Sequence, residues 1–503
     1  MTPKVKIQRI NNREYSFALS SAEGVRYVVR ALTFDNPDPY AYTPHIEKFN
    51  RRGLTFPVGM LRVLTACLDE MEVPYELKDY EFNFPQWIKI DDRMTGRYEY
   101  QAKAVWAFYQ RRWGIIVVPT RGGKTFIAAE IARIFLATDT GNLLFCVDNT
   151  TLFTQAVGDF QRFFQPYGGL EIGEIQAGHV DVSKRVTVAM VQTLQSALQG
   201  GKTAEARERR RAVEKYLREL KFLAVDEVHE NCSDSRLRLY KRCKRLEYQL
   251  CLSATPYRTG AFVQNLKLMA WSGDIIYEIT EDALRGVGVL SDYKVFMLFI
   301  DHNNRTYEGI DEYDYADVRR RLIIDNTWRD DLLRALVHLF EQRLGLKTLV
   351  LFQSVEHGRA FARSLGEDVV FLSGETKGRV REVEKARFLA QERGGLLLAS
   401  NIFKKGVTLP AAAVLINADE GLEDANTIQR KGRVLGATES KKRSLVVDFF
   451  DMYDAYLSEH SEARLNIYVD AVGAGKVKIV DVSIDGWLDT LERWTRKWFK
   501  IEE

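Results

Sequence analysis

The chain has 503 residues, a length that suggests roughly three or four domains. Hydrophobic residues make up 46%, enough for buried cores, which excludes a disordered chain. Lys and Arg exceed Asp and Glu by 72 to 69, a net charge of +3, so any nucleic-acid surface must come from local clustering and not from bulk charge.

Met1 to Arg9 is basic and polar with no apolar stretch behind it, and no spanning segment follows. The expectation is a cytoplasmic protein without signal peptide or membrane contact. Lys4–Ile10 and Tyr15–Leu19 are expected to pair as a hairpin over an Asn11-Asn12 turn, with helices at Ala22–Leu32 and Val58–Met71. From about Arg97 strands and helices alternate. Gly114–Val118, Leu143–Val147, Arg185–Met190, Phe222–Val225 and Gln249–Leu252 read as buried parallel strands. A second series follows at Thr348–Phe352, Val369–Leu372, Gly395–Ala399, Ala413–Ile416 and Ser444–Phe449. The predicted class is α/β: two tandem domains (94–280 and 281–455), a small N-terminal α+β domain (1–93) and a short helical tail (456–503). The cysteines Cys67, Cys146, Cys232, Cys243 and Cys251 form no C-x-x-C pair and read as reduced thiols, with no zinc site.

Four motifs carry chemistry. Pro119-Thr120-Arg121-Gly122-Gly123-Lys124-Thr125 follows a strand and opens a helix. Its glycines let backbone N–H groups approach phosphate, Lys124 reaches the outer phosphates and Thr125 ligates Mg²⁺. Val118 stands where the longer form of this loop has a glycine. Asp226-Glu227-Val228-His229 ends a later strand, where an Asp can hold Mg²⁺ and the adjacent Glu can activate water. Ser253-Ala254-Thr255-Pro256 again follows a strand; alone it is only a turn signal, but in this order its hydroxyls can couple the acidic box to the opposite domain. Gln429-Arg430-Lys431-Gly432-Arg433 offers arginines for the γ-phosphate, though a basic run also fits a solvated helix face.

In this order the motifs resemble helicase superfamily 2, DExH type, over about 97–460. The resemblance implies two RecA-like domains that bind ATP and Mg²⁺ between them. It assigns Gln101 to adenine, and Thr120, Gly122, Gly123, Lys124, Thr125, Gly406 and Thr408 to the nucleotide. Lys124, Asp226, Glu227, Gln429, Arg430 and Arg433 become catalytic; Thr125 and Asp226 hold the metal; His229, Ser253 and Thr255 couple. Thr151, Gln155, Gln192, Thr193, Gln353, Ser354, Ser373 and Ser400 line a nucleic-acid track, although any one Ser or Thr equally suits a helix cap or turn. Gln429 to Leu435, Ser354 to Ala360 and Phe56 to Leu61 further resemble the UvsW-type recombination helicases of phages and their XPB-type relatives. That implies a DNA helicase or translocase of replication, recombination and repair, a monomer that meets forks, D-loops and Holliday junctions without sequence preference, alongside replication or recombination proteins. An RNA or hybrid helicase, a duplex translocase without unwinding, and an ATP-gated binder of weak turnover stay open. The last follows from one departure: Gly436 stands where the pattern has an arginine.

Two clusters need weighing. Between Lys202 and Lys221 lie six further basic residues among glutamates, a stretch that reads first as a solvated helix, second as a DNA-facing one. Trp487, Leu491, Trp494 and Trp498 have helical spacing and read as a core-facing stripe before a base-stacking wedge.

Overall fold

A computed structural model describes residues 5–11, 13–19, 22–37, 45–50, 52–79, 88–201, 203–231, 233–258, 260–304, 310, 314–400, 412–419, 442–453 and 455–502. The chain divides into two compact units, Met1–Ile279 and Thr280–Glu503.

The first unit opens with a mixed sheet. β1 (Val5–Arg9) and β2 (Glu14–Leu19) form the expected antiparallel hairpin, with the Asn11 side chain accepting from the Arg13 and Glu14 amides. Alternation along β1 buries Val5 and Ile7 and turns Lys6 and Gln8 outward. After a small ribbon of β3 (Thr33–Asp35) and β4 (His45–Glu47), β5 (Thr55–Pro57) and β6 (Tyr75–Lys78) complete the sheet in the order β5-β2-β1-β6. The Ala22–Leu32 helix matches its expected bounds; Val58–Met71 becomes a 3-10 turn, Val58–Met60, followed by the helix Leu61–Glu70.

This small fold is not self-contained. Its core of Val5, Ile7, Phe56, Met60 and Leu64 also takes in Leu266, from the helix Phe262–Ser272 of the following α/β fold. Gly59 lies so close to that helix that a Cβ would collide with the Met269 carbonyl oxygen. Arg13 donates to the Cys243 carbonyl across the same seam.

The α/β fold of this unit is built on β7 (Trp113–Val117), β8 (Leu143–Val147), β9 (Ile172–Gln176), β10 (His179–Val180), β11 (Val186–Met190), β12 (Phe222–Val225), β13 (Tyr248–Ser253) and β14 (Ile275–Glu278). The order is β10-β9-β11-β8-β12-β13-β7-β14. The central strands β7, β8, β12 and β13 are buried at every position, which is why they read as unbroken apolar runs. β9, β10 and β14 lie at or near the sheet edges, are half-buried, and escaped the sequence reading for that reason.

In the second unit β15 (Asp292–Asp301), β16 (Thr348–Phe352), β17 (Phe371–Leu372), β18 (Leu396–Ser400), β19 (Val414–Asn417), β20 (Arg443–Met452) and β21 (Val477–Asp481) run in the order β17-β18-β16-β19-β20-β15-β21. The tail was expected to be helical. It is so in Ala455–Val472 and Trp487–Phe499, but between them β21 joins the sheet parallel to β15. The tryptophan stripe faces inward: Leu491 is fully buried, Trp487 and Trp494 pack on the same core, and Trp498 donates to the Ser444 carbonyl. Among the described residues no helix is long and apolar enough to cross a membrane.

The seam at Gly59 predicts that Gly59→Ala costs about 1–3 kcal/mol, because the helix backbone opposite cannot yield as a side-chain tip would. Urea unfolding followed by tryptophan fluorescence checks this; an unchanged midpoint would show that the two folds are not locked there.

Candidate nucleotide and nucleic-acid sites

Strand order assembles the first site. β7, β13 and β12 are adjacent and parallel, so the segments leaving their C-terminal ends share one edge. Those segments carry Lys124, Ser253 and the Asp226-Glu227 pair. β8 and β11 continue the same edge, with Thr151 after β8 and Gln192-Thr193 after β11. From β7 to β11 is four strand steps, roughly 19 Å. Nucleotide and nucleic-acid candidates thus line one sheet edge in sequence.

Lys124 opens the helix Lys124–Thr138 behind Gly123, which caps it with φ 79. The loop is fixed from beneath. Tyr100 donates to the Gly122 carbonyl at 2.7 Å, and Gln101 Nε2 reaches the same oxygen at 3.3 Å. A Cβ on Gly123 would collide with Gln101 Nε2, so glycine is required there twice, for conformation and for space. Gln101, expected at the adenine, is buried and spends its donor on the loop itself. Thr120 on the loop and Thr125 in the first turn of the helix are both half-buried.

Lys124 Nζ lies 2.9 Å from Glu227 Oε1. Glu227 sits in left-handed backbone at φ 44, and so does Arg121 in the phosphate loop at φ 72, so both loops hold strained residues. Asn231 keeps the acidic loop in place by donating to the carbonyls of Asp226 and Glu227 at 3.1 and 3.3 Å. Burial raises the Asp226 carboxyl pKa, and the neighbouring Glu227 charge raises it further. Two adjacent carboxylates against one ammonium form an oxygen donor set suited to a divalent cation such as Mg²⁺.

His229, buried and held toward its neutral form by that burial, places Nδ1 2.9 Å from Ser253 Oγ and 3.5 Å from Glu227 Oε2. Ser253 Oγ also accepts from the Thr255 amide at 3.1 Å, which leaves its own proton for His229. The three candidate coupling residues therefore meet at the Ser253 hydroxyl, with the His229 ring beside Glu227.

The second unit repeats the edge logic. Ser373, Ser400 and Gln353-Ser354 follow or end β17, β18 and β16, three neighbouring strands. Gln353 is exposed, while Ser354 caps the helix Val355–Leu365 by accepting from the His357 amide. Ser373 and Ser400 are buried; the Ser373 hydroxyl closes its own turn on the Glu375 amide. Gly406, Thr408, Gln429, Arg430, Arg433 and Gly436 lie outside the described residues.

Sequence reasoning missed the group that orders this loop. Asp419, after β19, accepts from the amides of Gln353 and Ser354 at 2.8 and 2.7 Å. Its other oxygen meets His357 Nδ1 at 2.6 Å, and His357 Nε2 meets Asp330 at 2.9 Å. The only signal was His357 in the quoted segment; its partners lie 27 and 62 residues away.

Two family matches cover the α/β folds: the type III restriction enzyme res subunit over residues 94–258 and the helicase conserved C-terminal domain over 331–437. The chain is a superfamily 2 helicase. It hydrolyses ATP. The helicase is 23% identical to the ATP-dependent DNA helicase UvsW of Enterobacteria phage T4, across 88% of each chain. It is 24% identical to the DNA 3′-5′ translocase XPB2 of Sulfurisphaera tokodaii, over 71% of this chain and 82% of that one. Its fold is shared with yeast Dbp5 bound to RNA and ADP BeF3, at 16% identity and a TM-score of 0.53, covering 79% and 93% of the two chains. A tandem RecA-like architecture is therefore established for the helicase.

A pH dependence follows from the His357 site. Burial works against its charge, but the hydrogen bonds to Asp330 and Asp419 outweigh it and push the imidazole up to about 9. A raised folded pKa contributes stability that is complete below the unfolded value near 6.5 and is lost as pH rises through about 9, on the order of 3 kcal/mol. Protection of the Gln353 and Ser354 amides against hydrogen exchange, corrected for intrinsic rates, should fall across that window. In His357→Gln it should already be low at pH 7 and flat. Equal protection in both proteins would show that His357 does not order the loop.

Proposed function

We propose that the chain is a DNA translocase and helicase that remodels branched DNA, namely forks, D-loops and Holliday junctions. One observation carries the proposal: similarity to UvsW extends over 88% of both chains, farther than the two motor families reach. The N-terminal fold, whose core includes Leu266 of the first α/β fold, supports reading it as part of the motor's first unit.

In this reading Lys124 exchanges Glu227 for phosphate oxygens when ATP binds. Asp226 and the Thr125 hydroxyl hold Mg²⁺, which supplies positive charge to the phosphates when bound. Glu227, released from the ammonium, accepts the proton of the attacking water. Because His229 touches Glu227 and leans on Ser253, the change at Glu227 is felt along β13. Sequence order assigns Arg433, with Arg430 behind it, to charge on the γ-phosphate in place of the arginine missing at 436. Thr151, Gln155, Gln192 and Thr193 grip DNA through its backbone, so binding is independent of sequence.

The test is steady-state ATPase on the whole chain with single-stranded DNA, linear duplex, a Holliday junction and RNA, beside strand displacement. The junction should stimulate turnover most, with affinity that falls steeply as salt rises. Greatest stimulation by RNA, or equal stimulation by junction and single strand, would contradict the proposal.

A further inference from the structure

The basic helix expected at Lys202–Lys221 forms as Ala204–Glu219, capped by Thr203. One face, Val213, Tyr216 and Leu217, is buried, and most of its charges point to solvent, as a solvated helix requires. Its first turns do something else. A groove of about 400 Å³ lies between this helix and the start of the helix Val191–Gln199. Gln192, Thr193 and Ser196 line one side and Arg209 the other.

Arg209 is the one charged side chain among the residues lining this groove. Its neighbour Arg210 is neutralised by Glu214 at 3.0 Å, and Arg242 approaches the same carboxylate. Among the described residues Arg209 has no carboxylate within ion-pair distance. An uncompensated guanidinium facing an amide and two hydroxyls suits an anionic chain with its own acceptors, such as a sugar-phosphate backbone. Glu205 and Glu208 share the helix but do not line the groove.

We infer that Arg209 is a phosphate contact, extending the DNA track from Gln192 and Thr193 onto the basic helix. The inference rests on the proposed role of those two residues. It concerns a helix that none of the family motifs includes, and it divides the basic cluster: Arg209 works on DNA, whereas the arginines on the far face keep the helix soluble. Arg211, two residues on, stands about 200° round the helix from Arg209.

The test is the salt dependence of affinity for a fluorescent oligothymidylate, measured on the whole chain. Arg209→Ala removes one phosphate contact, so on a single strand the slope of log K against log salt should become shallower by about 0.7. Alanine favours a helix, so folding is retained, and an unchanged melting temperature confirms it. Arg211→Ala, which removes the same charge from the far face, should keep the wild-type slope. Thr193→Ala tests the underlying reading and should weaken binding. A wild-type slope in Arg209→Ala, or an equal loss in Arg211→Ala, overturns the inference while leaving the track itself standing if Thr193→Ala still weakens binding. If neither Arg209→Ala nor Thr193→Ala changes affinity, the reading of the track falls with it.

Discussion

Lys124 and Glu227 face each other at 2.9 Å, and the first site depends on that pair. They leave β7 and β12, two strands separated only by β13, so the sheet brings the phosphate loop and the acidic loop together whatever the loops themselves prefer. A charged pair this little exposed gains from Coulomb attraction but is costly to desolvate, so its presence is weak evidence of a stabilising role. Its location at strained loops, beside a buried aspartate, suits a functional role better. In the proposed mechanism ammonium and carboxylate restrain each other until the nucleotide's phosphates take the lysine.

The groups around the pair hold its two loops in place. Gln101 and Tyr100 hold the lysine's loop from below, Asn231 holds the glutamate's loop, and His229 joins the glutamate to the strand between them. In the second unit the analogous loop after β16 is held by a buried aspartate and an imidazolium. The first unit holds its loops by their carbonyls, at Gly122, Asp226 and Glu227, whereas the second holds its loop by the amides of Gln353 and Ser354. Gln353 and Ser354 can offer DNA their side chains but not the amides given to Asp419.

The strands that were legible in the sequence are the ones buried on both faces: Leu143–Val147, Phe222–Val225 and Thr348–Phe352 have their expected bounds. A parallel strand under two helical layers must be continuously apolar, and the residue after it is free to carry chemistry. That places Lys124, Asp226 and Ser253 without coordinates. Edge strands carry no such signature. β21 exposes Lys478 and Ile479, so it does not stand out from a helix or loop, and β17, expected over Val369–Leu372, keeps only Phe371 and Leu372 at the edge of its sheet. The site partners that sequence missed, Asp419 with His357 and Tyr100 with Gly122, meet through the tertiary fold and have no fixed spacing. The serines show the converse limit: Ser373 matches a motif, yet its hydroxyl is buried and closes a turn.

In the proposed mechanism Glu227 and the nucleotide compete for Lys124. Calorimetric titration of a non-hydrolysable ATP analogue with Mg²⁺ into wild type and Glu227→Gln tests it most directly. The substitution keeps the shape of the side chain and removes the charge that holds the ammonium. The variant should bind the analogue several-fold more tightly, while its turnover collapses for want of a base. Equal or weaker binding in Glu227→Gln would contradict it, because Lys124 would then gain nothing from losing its partner.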